Sequence, residues 1–233
     1  MLFRSHCRIE AGYGLTETCP VATSARPKDG VVFSDEEDRW RRQSMTGWSV
    51  PGCEVRVVDF HMNEVPRDML SIGEIVIRGD IVMDGYYKEP QSTEAVMTNG
   101  WLHTGDMAIW DRDGYVQIVD RKKDIIISGG ENISSIEVER AIFAHSAVLE
   151  CAVVSAPDPK WGEVPAAHVV VKPGHTLDER QLRAFLEDRL ARFKMPRRFL
   201  FTTDPLPKTG TGKILKRQLR ESFWAGHSQR VQG

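Results

Sequence analysis

The stretch RKKDIIISGGENISSIEVER, residues 121–140, decides how this chain is read. Its centre is the β-branched run Ile125-Ile126-Ile127, entered through three cations and left through Ser128 and the pair Gly129-Gly130. An apolar run bounded by turn formers predicts a strand. Ser134 and Glu137 have the spacing of a capping box, which predicts a helix from about Ser135 to His145.

Toward the C-terminus, strands and helices alternate. VLECAVVSA (148–156) and AAHVVVK (166–172) read as buried strands. Thr176 with Glu179 reads as a second capping box, opening a helix whose apolar stripe is Leu182, Phe185, Leu186 and Leu190. RFLFTT (198–203) is a further strand, and a last helix follows Gly212 with Leu215 and Leu219 on one face. Toward the N-terminus the pattern is β from Gly47 to about Val119. CEVRVVDF (53–60) and GEIVIRG (73–79) are strands. Pro66-Arg67-Asp68, Asn99-Gly100 and Asp113-Gly114 are turns, the last set between AIW and YVQIV as in a hairpin. Residues 24–46 are polar and charged and predict a surface excursion with a short helix near 35–43. A domain boundary is expected near Arg121–Asp124, giving a β-rich part over residues 1–120, a smaller α+β part over 121–225 and a tail over 226–233.

The 233 residues carry a formal net charge of −2, with 41% apolar and 27% charged residues. That balance suits a globular protein with a core and gives no strong pull toward nucleic acid. Cys7, Cys19, Cys53 and Cys151 are scattered, without the spacing of a zinc or redox motif, so reduced thiols in a cytoplasmic protein are the simplest account. No apolar run reaches the length of a signal peptide core or a membrane span.

Four segments carry chemistry. In GYGLTET (12–18), Gly12 and Gly14 around Tyr13 let a flat ligand approach the backbone. The Thr16 hydroxyl can meet a phosphate oxygen and the Glu17 carboxylate can hold Mg²⁺. In GWLHTGD (100–106), Gly105 predicts a tight turn from which Asp106 projects, its two oxygens suited to the hydroxyls of a ribose. In residues 120–139, Arg121 is a permanent cation and Gly129-Gly130 permits close backbone approach. In LPKTGTGKILKRQLR (206–220), Lys213 ends a Pro/Gly loop just before a helix, where it can neutralise charge building at a phosphorus centre. Taken singly, each also reads as an ordinary turn or solvated face, and Lys216, Arg217 and Arg220 suit a solvated helix face. A Walker loop does not fit TGTGK, because the spacing differs and Ile214 stands where Ser or Thr is required.

Together and in this order, the four segments resemble the AMP-forming acyl-CoA synthetase and adenylation superfamily, most closely its fatty-acyl-CoA ligases, over nearly the whole chain. The resemblance implies an α+β fold: the remnant of a large domain's β-rich subdomain, then a small mobile α+β C-terminal domain. It implies ATP/AMP, Mg²⁺ and coenzyme A as cofactors and a carboxylic acid, of the fatty-acid class, as substrate. By position, Tyr13 between Gly12 and Gly14 would pack on adenine, Thr16 would contact phosphate, and Glu17 would hold the metal. Asp106 would bind the ribose with support from Arg121, and Lys123 would be the hinge. Lys213 would be the lysine of adenylation, and Ser128-Gly129-Gly130 would face the pantetheine tunnel. Trp161-Gly162-Glu163 also matches the family and is given a structural role.

The departure is equally informative. The family's Ser/Thr/Gly-rich phosphate loop, with its Lys, is absent from these 233 residues, as is most of the acyl pocket. The expectation is a C-terminal fragment with little or no activity alone. Residues 1–30 would then lack partners and show exposed apolar surface or poor order, while residues from about 121 onward still fold. The alternatives are a non-catalytic module that binds AMP or CoA or complements a separate N-terminal polypeptide, a peptide-synthetase adenylation domain, and a luciferase-like oxygenase.

Overall fold

The computed structural model describes residues 9–210 and 212–225, so Cys7 and the expected tail over 226–233 lie outside the described residues. The chain forms two units that divide between Lys122 and Lys123. Among the described residues the fold is mixed α+β, with three sheets and a few short helices.

In the first unit, β1 (Gly12–Tyr13), β2 (Thr23–Ser24) and β3 (Trp48–Ser49) form a small antiparallel sheet. Between β2 and β3 lies α1 (Glu36–Gln43), capped by the Asp35 carboxylate, which accepts from the Asp38 N–H at 2.7 Å. The second sheet contains β4 (Cys53–Val58), β5 (Gly73–Gly79), β6 (Met97–Thr98), β7 (Trp101–Trp110) and β8 (Val116–Arg121), in the order β4-β5-β7-β6 with β8 also on β7. A five-residue helix, α2 (Pro90–Glu94), precedes β6. Asn99-Gly100 joins β6 to β7 as a two-residue turn with φ +50° and +78°, the positive-φ pair that matches strand twist. Val57, Ile75, Ile77, Ala108, Trp110 and Val116 form the core, with Ala22 reaching it from the small sheet. The segment expected to lack partners is therefore only partly exposed. Ile9 and Val21 are exposed, whereas Ala22 and Ala25 are fully buried.

The second unit holds β9 (Ile126–Ser128), β10 (Glu131–Ile133), α3 (Ser135–Phe143), β11 (Val148–Asp158), β12 (Gly162–Val171), α4 (Glu179–Glu187), β13 (Arg198–Thr202) and α5 (Lys216–Trp224). The sheet order is β10-β9-β12-β11, and β13 runs parallel to β12. Alternation along β11 serves two cores. Cys151 and Val153 face one with Ile142, Leu182 and Leu186, while Ala152, Val154 and Ala156 face the other with Leu219. The Ser134 hydroxyl caps α3 by accepting from the Glu137 N–H, and the helix stops at Phe143, two residues short of expectation.

The cap of α4 is a correction. It is Asp178, not Thr176: the Asp178 carboxylate accepts from the Gln181 N–H at 2.8 Å, and the Gln181 side chain accepts from the Asp178 N–H at 3.0 Å. The physical reason is burial. Starting the helix at Glu179 places Leu177 just before the cap and Leu182 at the fourth helical position, and both enter the core as a hydrophobic staple. On α5, Leu219 is buried, but Leu215 sits at the N-cap and is exposed.

Candidate nucleotide site and lysine loop

GYGLTET begins as β1 and turns at Leu15–Thr18. Gly14 is needed there because a Cβ would fall 1.7 Å from the Pro20 carbonyl oxygen. The buried Thr18 closes the turn: its Oγ1 accepts from the Leu15 N–H at 2.9 Å and donates to the Leu15 carbonyl at 3.1 Å. Thr16 is left exposed and Glu17 half-buried. The Glu17 carboxylate accepts from the Tyr86 hydroxyl at 2.7 Å.

Gly105 does not make the predicted tight turn. β7 continues through it, and Gly105 (φ +69°) lies in an irregular stretch where the pairing with β5 slips between Glu74↔Met107 and Val76↔His103. A bulge re-aims one side chain without ending the strand. The Gly105 N–H donates to Glu74 Oε1 at 3.1 Å and the Thr104 hydroxyl to the Ile75 carbonyl at 2.8 Å, which fixes the bulge.

Asp106 follows, 5% exposed. Its Oδ2 accepts from the Tyr13 hydroxyl at 2.7 Å, and its Oδ1 lies 2.9 Å from Arg121 Nε on the paired strand β8. Two expected site residues, from β1 and β8, thus converge on the carboxylate of a third on β7. Burial, and the Asp106 carboxylate beside it, push the Tyr13 hydroxyl far above its ordinary pKa, so it stays a donor. Each Asp106 oxygen has one protein partner among these and a remaining lone pair, which fits a vicinal diol. Among the described residues no group of three or more His, Cys, Asp or Glu suits a metal ion, and Glu17 stands as a single carboxylate.

In the second unit, Lys123 is exposed, in the short 3₁₀ turn Lys122–Asp124. Ser128 ends β9. Gly129 (φ +61°) and Gly130 (φ +90°) form the two-residue turn into β10. Trp161 walls this turn: its carbonyl accepts from the Gly129 N–H at 2.9 Å, and its ring leaves no room for a Cβ at Gly129. The described residues of the loop, 206–210 and 212–214, bond to one another. Lys208 bridges Ile214, the Thr209 N–H donates to the Lys213 carbonyl at 2.8 Å, and the Leu215 N–H donates to the Pro207 carbonyl at 2.8 Å. Lys213 is exposed at its end.

The solvated-face reading of the last helix holds for Arg217, whose side chain is 83% exposed, but not for its neighbours. Lys216 Nζ reaches Glu139 Oε1 at 2.7 Å and the Ser135 hydroxyl at 2.6 Å, and Arg220 Nη1 donates to the Lys123 carbonyl at 2.6 Å. Sequence reasoning also missed Glu74, a buried carboxylate that pairs with Lys122 Nζ at 2.9 Å and His103 Nδ1 at 2.9 Å while holding the bulge. Its only sequence signal is an acid just ahead of the apolar run Ile75-Val76-Ile77.

Two family models match the chain: AMP-binding enzyme over residues 2–87, and AMP-binding enzyme C-terminal domain over residues 137–213. A long-chain-fatty-acid–CoA ligase of Thermus thermophilus is 38% identical over 94% of this chain and 41% of its own length. A peroxisomal butyrate–CoA ligase of Arabidopsis thaliana is 41% identical over 90% of this chain and 37% of its own length. The crystal structure of ATP-bound MatB from Rhodopseudomonas palustris superposes with a TM-score of 0.76 at 38% identity, over 91% of this chain and 40% of that one. The chain spans about two fifths of the length of the relatives it matches. It belongs to the adenylate-forming AMP-binding enzyme family and corresponds to the C-terminal portion of its acyl-CoA ligase members.

Proposed function

We propose that this chain supplies the ribose carboxylate, the hinge and the adenylation lysine of an ATP-dependent, AMP-forming acyl-CoA ligase acting on a fatty acid. The observation that carries the proposal is the convergence of Tyr13 and Arg121 on the buried Asp106, which presents a preorganised acceptor pair to a ribose. The substrate class rests on the likeness to a long-chain-fatty-acid–CoA ligase. Residues 1–120 are read as the end of the large domain, and residues from 121 as the small mobile domain.

The chemistry follows from leaving groups. A carboxylate is a poor acyl donor, because oxide would have to leave. Its oxygen attacks the α-phosphorus of ATP, the bond to pyrophosphate breaks, and an acyl-AMP forms. Lys213 stabilises the negative charge that builds there, as a cation placed where charge develops. The thiol sulfur of coenzyme A then attacks the acyl carbon, loses its proton, and AMP leaves. Ser128, Gly129 and Gly130 line the approach of the pantetheine, and Lys123 is the pivot between the two half-reactions. Gly12, Tyr13 and Gly14 hold the adenine, Thr16 contacts phosphate, and Glu17 would hold Mg²⁺, which offsets phosphate charge when bound.

Because the phosphate loop is absent from these residues, adenylation by the chain alone is expected to be negligible, and a separate N-terminal polypeptide is the partner that would restore it. Among the described residues no helix is long and apolar enough to cross a membrane, and a cytoplasmic setting is proposed. The test is calorimetry with AMP and coenzyme A, together with ATP–pyrophosphate exchange across fatty acids of several lengths. AMP binding that is lost in Asp106→Ala, without exchange, supports the proposal. Binding unchanged by Asp106→Ala refutes the ribose assignment, and full exchange by the chain alone refutes the need for the loop. Binding without exchange in every complemented mixture would favour a non-catalytic AMP-binding module.

A further inference from the structure

We propose that Arg220 is a positioning residue that clasps the peptide plane following Lys123, barring the hinge from residues beyond it and making the Lys213 loop turn as one body with it. The proposal rests on the reading of Lys123 as pivot and Lys213 as adenylation lysine. α5 starts three residues after Lys213 and is pinned at two successive turns. Lys216 anchors it to Glu139 and Ser135 on α3. One turn later, Arg220 Nη1 donates to the Lys123 carbonyl at 2.6 Å and lies 3.5 Å from Asp124 Oδ1. The Arg220 and Asp124 side chains are 12% and 14% exposed, so water competes little for this contact.

The choice of a backbone carbonyl matters. Rotation about φ and ψ of Lys123 carries its carbonyl along with everything that follows. The bond from Arg220 therefore survives any turn made at Lys123, whereas rotation about φ or ψ of Asp124 would break it. On its C-terminal side the hinge therefore stops at the two soft dihedrals of Lys123. The Lys213 loop, closed by its own hydrogen bonds and continuous with α5, keeps a fixed position relative to that pivot. A bond to the Lys123 side chain would instead be broken by rotation about ψ of Lys123.

The test is limited trypsin digestion of the 233-residue chain, reading by mass spectrometry the ratio of cleavage after Lys123 to cleavage after Lys122. Global loosening raises both, while release of the clasped carbonyl raises only the first. Arg220→Ala is expected to raise the ratio at least fivefold, Arg220→Lys to restore part of it, and Arg217→Ala on the same helix to leave it unchanged. An unchanged ratio in Arg220→Ala overturns the proposal. Should that variant not fold, an unchanged ratio in Arg220→Met, which keeps the stem and removes the donor, does so. In a complemented, active enzyme, Arg220→Ala should lower kcat for pyrophosphate exchange with KM for ATP little altered. A Lys213→Ala variant that retains full exchange would strike the ligase reading, while the cleavage ratio would still decide the clasp.

Discussion

Replacing Gly129 by Ala should cost the second unit far more than replacing Gly130 by Ala, although the two are adjacent in one turn. Both have positive φ, +61° and +90°, so each alanine carries a left-handed strain of about 1–2 kcal/mol. Only at Gly129 does the new methyl meet an obstacle: it would lie 2.6 Å from Trp161 Cε3 and 3.0 Å from Cζ3, whereas nothing lies within 4 Å at Gly130. Carbon atoms rest at about 3.5–4.0 Å, so the ring must retreat by about 1 Å. The Trp161 backbone resists, because its carbonyl is bonded to Gly129 itself. Overpacking of this kind adds about 1–3 kcal/mol, giving about 2–5 kcal/mol for Gly129→Ala against about 1–2 for Gly130→Ala. Urea unfolding of the two variants, alone and combined with Trp161→Ala, measures the difference as a double-mutant cycle. Trp161→Ala should bring the cost of Gly129→Ala down to that of Gly130→Ala. Equal costs in the native background, or a cost untouched by Trp161→Ala, would refute the reasoning.

Three further outcomes are expected. Burial raises the Glu74 carboxyl, but hydrogen bonds from His103 and Lys122 outweigh it and hold the pKa below its ordinary value. A carboxyl depressed on folding contributes stability above its unfolded pKa, about 4.3, and loses it as pH falls through the folded value. Urea midpoints of wild type and Glu74→Gln should therefore converge on acidification below that pH, and parallel curves would contradict the pairing. Burial pushes the Cys151 thiol up to about 12, so its thiolate fraction at pH 8 falls roughly a thousandfold below that of a free thiol. Mass mapping after treatment with a thiol reagent should find exposed Cys19 modified in the native protein and Cys151 modified only after denaturation. Asp178→Ala should cost about 1 kcal/mol and Thr176→Ala close to nothing, read from urea midpoints, if Asp178 alone caps α4.

The capping case shows what the sequence could convey. Thr176-Glu179 and Asp178-Gln181 are overlapping signals of the same form, and spacing alone cannot rank them. The ranking comes from which start buries Leu177 against Leu182, a tertiary fact. Gly105 is similar, since a glycine between apolar runs reads alike as a turn or a bulge, and only the pairing partner β5 distinguishes them. Strands with their own strong pattern were legible: β4, β5, β11 and β12 fall where alternation and β-branched runs place them. So was the two-residue turn at Asn99-Gly100, whose positive-φ pair is a local property.

The candidate site was legible as motifs but not as contacts. Tyr13 and Asp106 are 93 positions apart, and Glu74 holds the bulge from a different strand. The last helix carries the more general lesson. Counting charges in KRQLR suggests a solvated face, but position on the helix decides the matter. Lys216, Leu219, Arg220 and Phe223 recur at i, i+3, i+4 and i+7 and form one stripe, which Leu219 and Phe223 commit to the core. A cation on a stripe that is driven inward must find an oxygen, because leaving it unpaired there is costly. Lys216 finds a carboxylate and a hydroxyl, Arg220 finds the Lys123 carbonyl, and Arg217, one position off the stripe, stays in water beside Glu221. The apolar residues of this helix thus dictate which of its cations become anchors, and they aim one of those anchors at the residue where the two units meet in sequence.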